Sequence, residues 1–284
     1  MYNLPEWWKM ITTMSIINLS IVIQLSKDKI FDKDPYVITL IGIYILVSTL
    51  RSAYPKKEVE KVCIHDNFMS TPIAGRTLAN VAEISLILVI IHIFKKISLD
   101  IYQKDTNINI ILDSTLVIIV IAQICCWLGV ITEHFIFNYV EESLWTLTFV
   151  IYIVISSINY YNIFESSPKL DHIKTFYKAS IPIFISYVIY MILFDLPLYL
   201  KKWSKIDINK DKRVSWAELY KDIQIHLNKD NVSLYQKLSK ITKCRTDNSW
   251  EEWEDEVPWM IGYFIIVGWI LIVLILWYIQ YKKK

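Results

Sequence analysis

Apolar residues in this chain gather in long continuous runs, separated by shorter stretches in which lysine, aspartate and asparagine collect. Neither the alternation of a half-buried strand nor the narrow stripe of a soluble amphipathic helix describes such runs. A helix that crosses a bilayer needs about 20 mostly apolar residues. Seven segments approach or meet that length, near residues 10–25, 36–50, 78–94, 108–131, 144–161, 179–200 and 259–281. The first is the weakest, because Thr12, Thr13, Asn18 and Gln24 interrupt it. The last is the clearest, opening after Pro258 at a favoured first-turn position and closing on Lys282, Lys283 and Lys284. The expected fold is therefore all-α, a multi-pass transmembrane bundle of about seven spans with a helical insertion between spans six and seven. Its expected organisation is residues 1–200 for the first six spans, 201–257 for the insertion, and 258–284 for the last span and tail.

Composition agrees. Of 284 residues, 54% are hydrophobic and 14% aromatic, a balance that soluble domains rarely reach and that makes the lipid bilayer the expected partner. A net charge of +2 is too small for a nucleic-acid partner. Trp7, Trp8, Trp259, Trp277 and Tyr278 fall at expected span ends, where aromatic side chains anchor helices at the interface. The start, from Met1 to Glu6, lacks a basic region and a small-residue cleavage site, so the first apolar segment is expected to stay in place. With five glycines in the whole chain, repeated small-residue contacts cannot carry the helix packing.

Lysine distribution predicts orientation. With seven spans, the segments around residues 27–33, 95–104 and 169–178 share one face with the C-terminal lysines, and all are lysine-rich. The short loop at residues 134–140 on the opposite face has none. The lysine-rich face, with the C-terminus, is thus expected to be cytoplasmic, and the insertion luminal or extracellular. Two features of the opposite face suit an oxidising compartment: the sequon Asn231-Val232-Ser233, and Cys63 with Cys244, which lie in different connections and could pair. Cys125 and Cys126 lie within the fourth span, where burial as small apolar residues is expected.

Within the insertion, residues 207–218 read Asp207-Ile208-Asn209-Lys210-Asp211-Lys212-Arg213-Val214-Ser215-Trp216-Ala217-Glu218. Oxygen side chains fall at positions 1, 3, 5 and 9, an apolar residue at 8 and glutamate at 12. This resembles the calcium loop of the EF-hand superfamily. The resemblance covers this loop and its flanks and implies a Ca2+ site. Asp207, Asn209 and Asp211 would each give a side-chain oxygen, Arg213 its carbonyl, Ser215 a direct or water-mediated contact, and Glu218 both carboxylate oxygens. Tyr199, Trp203 and Ile206 share one face of an entering helix, and Trp216, Leu219, Tyr220, Ile223 and Leu227 recur as an exiting helix requires. Position 6 carries Lys212 in place of glycine, a substitution costing about 1–2 kcal/mol in a left-handed turn. Lys210, Lys212 and Arg213 offset the ligand carboxylates. The expected affinity is therefore near the millimolar range of extracellular modules. No second window in the chain matches.

Ionisable residues inside spans are costly and mark candidate functional positions. Arg76, Asn80 and Glu83 form one stripe on the third span, spaced by four and three. Seven residues span about 10 Å of helix, so Arg76 and Glu83 are expected to pair only through a neighbour. Arg51, Asp66, Glu141, Glu142 and Asp195 belong to the same end of the bundle and suggest a charged vestibule under the insertion. The acidic run Glu251, Glu252, Glu254, Asp255 and Glu256 suits the positive N-terminal end of the seventh helix, with a second, diffuse cation site as the alternative. Asp113 and His92 are single polar residues for which a structural hydrogen bond is expected.

Catalytic signatures are missing from the sequence: it has no His-Glu-x-x-His, no Gly-rich phosphate loop, no Gly-x-Ser-x-Gly elbow and no Cys-x-x-Cys. The seventh segment has neither a retinal-binding lysine nor an Asn-Pro-x-x-Tyr pattern, so seven spans do not imply a rhodopsin or a common receptor. Three functions follow as expectations. The first is a membrane protein in which calcium plays a structural or regulatory part. The second is a calcium-modulated transporter or channel with a path at Arg76, Asn80 and Glu83. The third is a lipid-modifying enzyme using Asp66, Glu83 or Glu141.

Overall fold

A computed structural model describes residues 4–27, 35–103, 107–163, 170–207 and 239–283. Seven helices in it are long and apolar enough to cross a membrane. They are α1 (Glu6–Lys27), α2 (Pro35–Ala53), α3 (Pro72–Tyr102), α4 (Asn107–Thr132) and α5 (Ile136–Ile163), followed by two composite helices. The sixth runs as α6 (Asp171–Tyr190), a π-helical turn (Met191–Asp195) and α7 (Leu196–Asp207). The seventh runs as the short α9 (Val257–Met260), a second π turn (Ile261–Ile266) and α10 (Val267–Lys283), preceded by the single turn α8 (Trp250–Trp253). Every expected span is present, and most are longer than their apolar core because polar and aromatic residues extend them at the ends.

Consecutive helices from α1 to α6 pack side by side, and the seventh span packs against α1 and α2. The core between them is aliphatic and aromatic: Tyr44, Ile45, Ile87, Phe94, Ile119 and Tyr152 are buried. Phe94 contacts Tyr152, Phe176, Tyr177 and Phe184 at ring-centroid distances of 5.6 to 6.2 Å. Large side chains thus supply the packing that glycine-poor helices cannot obtain by close backbone approach. The outward faces carry exposed Ile, Val, Leu and Phe, for instance Ile110, Val117, Ile124, Leu193 and Phe194, as lipid contact requires.

Glycine matters where polar side chains cross between helices. A Cβ on Gly268 would lie 2.6 Å from Asn18 Nδ2. That Asn18 amide donates to the Ile265 carbonyl at 3.3 Å, in the π turn of the seventh span. The wider turn leaves carbonyls short of their usual partners, and a side chain from α1 meets one of them.

The fold is all-α as expected, and one end of the bundle carries the only strands among the described residues, three of two residues each. Strands β1 (Lys56–Lys57) and β2 (Val62–Cys63) form an antiparallel hairpin between spans two and three. Strand β3 (Arg245–Thr246), from the connection between spans six and seven, pairs parallel to β2. Arg245 N donates to Lys61 O at 2.8 Å, and Asp247 N to Cys63 O at 3.0 Å. Cys63 and Cys244 form a disulfide with Cα atoms 5.9 Å apart, the pairing expected from their positions. Ile73 N also donates to Ile241 O at 3.1 Å, so the start of α3 touches the same strand-bearing segment.

Candidate functional site

Beneath the hairpin, five spans contribute to one buried charged network. Its centre is the Arg76 guanidinium, four residues past the first residue of α3, Pro72. Thr71 caps that helix by accepting from Ala74 N. Gly75 leaves room for the Lys56 stem, since a Cβ there would lie 2.4 Å from Lys56 Cδ.

Arg76 is fully engaged. Its Nε donates to Asn80 Oδ1 at 3.0 Å, and Nη2 donates to Glu83 Oε2 and Gln123 Oε1, each at 2.8 Å. Its Nη1 reaches Cys126 Sγ at 2.8 Å, Glu58 Oε2 at 3.5 Å and Glu141 Oε1 at 3.6 Å. The expected stripe of Arg76, Asn80 and Glu83 is therefore one hydrogen-bonded unit. The expectation that Arg76 and Glu83 meet only through a neighbour is corrected: two long side chains lean along the helix and close the two-turn gap directly. Gln123 adds the bridged route, with its Nε2 donating to the same Glu83 oxygen at 2.7 Å.

Arg51 closes the network from α2. Its Nη2 lies 3.2 Å from Glu58 Oε1, and its Nη1 lies 3.9 Å from Glu83 Oε1 without a hydrogen bond. The guanidinium is boxed by Trp259, Tyr263 and Phe264 of the seventh span, with centroids at 5.7, 5.0 and 5.7 Å. Such cation–π contacts gain strength when desolvated. Tyr263 OH also donates to Glu83 Oε1 at 3.3 Å. From α5, Asn138 Nδ2 donates to Glu141 Oε2 at 3.3 Å, and Asn138 lies against Gly129, where a Cβ would come within 2.4 Å of its Oδ1.

A second cluster sits above the first, at the extramembrane surface. Lys57 Nζ contacts the Glu252 carbonyl at 2.8 Å and Asp255 Oδ1 at 3.1 Å. Lys202, on the α7 extension, reaches Glu60, Glu256 and Asp255 at 2.9, 3.0 and 3.1 Å. Arg245 pairs with Asp247 and Glu252. Burial raises the Asp255 carboxyl, but Lys202 and Lys57 outweigh it and hold the group below the ordinary range. Glu256 is raised, because its burial outweighs Lys202 and because Glu60 and Asp255 add like charge. Three residues of the acidic run, Glu252, Asp255 and Glu256, are thus engaged by lysine and arginine.

Other expected positions fall as follows. Arg51 and Glu141 belong to the network. Asp66 does not: it is exposed in the turn after the hairpin. Asp195 is buried within the π turn of the sixth span. Asp113 pairs with Lys95 at 2.6 Å, and the His92 ring lies tilted against Tyr36 with centroids 5.0 Å apart. Of the calcium-loop residues, Asp207 is the last of α7, while Asn209, Asp211, Arg213, Ser215 and Glu218 lie outside the described residues, as does Asn231. Among the described residues there is no group of three or more His, Cys, Asp or Glu able to hold a metal ion. Sequence reasoning missed Glu58, Gln123 and Tyr263. Only Gln123, a polar residue within an apolar run, carried a signal.

Fold and network define a multi-span helical membrane protein with a desolvated ion cluster near one end and an extramembrane cap bonded over it. No protein-family model, curated protein or solved structure matches the chain.

Proposed function

We propose that this protein binds calcium through residues 207–218, and that the ion orders the connection between the sixth and seventh spans in a structural or regulatory role. The observation that carries this reading is a helix leading into the loop. The sixth span continues beyond the apolar core as α7 (Leu196–Asp207), which includes the residue that would be loop position 1. An EF-hand loop needs such an entering helix. Trp203 on that helix is buried and packs with Phe135, Val59 and Ile241 at the extramembrane end.

The lysine distribution and the Cys63–Cys244 disulfide both favour a luminal or extracellular position for this end, where calcium is abundant enough for a weak site. A transport path through Arg76, Asn80 and Glu83 has less support. Their donors and acceptors are spent on one another, and Phe94, Phe149, Tyr152 and Phe184 pack deeper in the bundle. Asp66 is exposed outside the network while Glu83 and Glu141 are both paired with Arg76, so the lipid-enzyme reading also has less support.

Calorimetric titration of the purified protein beside a Glu218→Ala variant tests the proposal. Weak calcium binding that the substitution abolishes is the expected result. Equal heats from both proteins overturn the assigned ligands.

A further inference from the structure

Glu58 differs from the other carboxylates of the buried network in where it comes from. Glu83 and Glu141 are carried by α3 and α5 and cannot leave without moving a span. Glu58 belongs to the hairpin loop between β1 and β2, outside the bundle, and reaches inward. Its two oxygens go to two arginines from different spans: Oε1 to Arg51 Nη2 at 3.2 Å, and Oε2 to Arg76 Nη1 at 3.5 Å. Charge-assisted bonds of this type usually close to about 2.7–2.9 Å, as Arg76 and Glu83 do. The Glu58 grip is looser than that of Glu83, and Glu141, at 3.6 Å from Arg76, is held from a span and not from a loop.

Two further facts point to an exchangeable occupant. Arg51 Nη1 has no hydrogen-bond partner although the residue is 6% exposed, so a buried donor faces the network unfilled. An orphaned buried donor is costly, and its charge makes it more so. The charges are also balanced for a one-for-one exchange. Arg51 and Arg76 stand against Glu83 and Glu141, and Glu58 is the additional anion. A single carboxylate arriving from outside would restore the same total and could offer Arg51 both of its oxygens.

We propose that Arg51 and Arg76 form a binding site for a carboxylate ligand, and that Glu58 fills it as a tethered stand-in carried on a lid. The lid is the hairpin, bolted to the neighbouring connection by the Cys63–Cys244 disulfide and by the β2–β3 pairing. The ligand class is a monocarboxylate, either a small soluble acid or the head of a fatty acid delivered from the bilayer. Neither the site nor the lid depends on calcium at residues 207–218.

Cys126 reports on the site directly. It is a free, buried thiol whose Sγ touches Arg76 Nη1. In full-length protein carrying Cys125→Ser and held in lipid nanodiscs, it is the one thiol outside the disulfide. Labelling by a water-soluble maleimide follows the population in which the lid stands open, so Glu58→Ala should raise its rate at least about tenfold. Acetate should slow labelling of that variant if the site takes soluble acids, and oleate in the nanodisc if it takes lipid heads. Chloride at equal ionic strength should not. Glu58→Gln, which keeps shape and loses charge, gives the same readings should the alanine variant fail to elute as a single species. A rate unchanged by both substitutions overturns the lid. A raised rate that neither carboxylate slows overturns the binding site.

Discussion

Arg76 and Glu83 stand two turns apart on one helix, and their side chains meet at 2.8 Å with both residues 5% exposed. This pair organises its surroundings. Glu58, Gln123, Cys126 and Glu141 all take their places by contact with Arg76, so one guanidinium joins the hairpin, α3, α4 and α5.

Removing that guanidinium should be among the most damaging single changes in the chain. Arg76→Ala leaves three carboxylates without their common partner, and breaking a buried pair from one side costs about 3–5 kcal/mol. A thermal unfolding series in detergent should show the loss, and Arg76→Lys should recover little of it. An ammonium cannot serve acceptors arranged around a planar fork.

Gly268→Ala should destabilise by about 1–3 kcal/mol through overpacking. The added methyl group would lie 2.6 Å from the Asn18 amide and push it off the Ile265 carbonyl. Combining it with Asn18→Ala should cost less than the sum of the two single changes, because both act on one contact. Additive losses in the same melting assay would refute that shared origin.

Loss of the disulfide, by Cys63→Ser with Cys244→Ser, should lower stability by about 2 kcal/mol, the lower end of the usual range. The sequence separation is 181 residues, but spans and ion pairs already hold the two connections together. The effect should appear as a lower melting midpoint, and a reductant should produce the same shift in the unaltered protein and none in the double variant.

Lys56 gives the pH dependence a sign. Burial lowers its pKa from 10.5 to about 8, with Glu58 partly opposing. Between those two values the unfolded chain holds a proton on this group that the folded chain has released. Stability from Lys56 therefore rises as pH climbs through that window and is least below it. Melting midpoints measured from pH 8 to 10 should rise less, or fall more steeply, for Lys56→Met than for the unaltered protein. Parallel curves would exclude Lys56 as the source.

The seven spans were legible because a bilayer imposes its thickness on every helix, and runs such as residues 108–131 satisfy it by composition alone. The stripe of Arg76, Asn80 and Glu83 was legible because helical periodicity fixes which residues share a face. Its partners were not. Glu58 sits among soluble-looking charges, and nothing local shows that a hairpin folds it inward. The direct Arg76–Glu83 contact was hidden because backbone rise understates the reach of two flexible side chains. Lys57 and Lys202 likewise became partners of Asp255 only through the tertiary placement of the hairpin and α7.

The bond between Cys63 and Cys244 makes the molecule a closed loop of chain running from the second span to the threshold of the seventh. A protease that nicks the polypeptide anywhere inside that loop yields two pieces which remain one covalent species. They should part on a denaturing gel after reduction and migrate together before it.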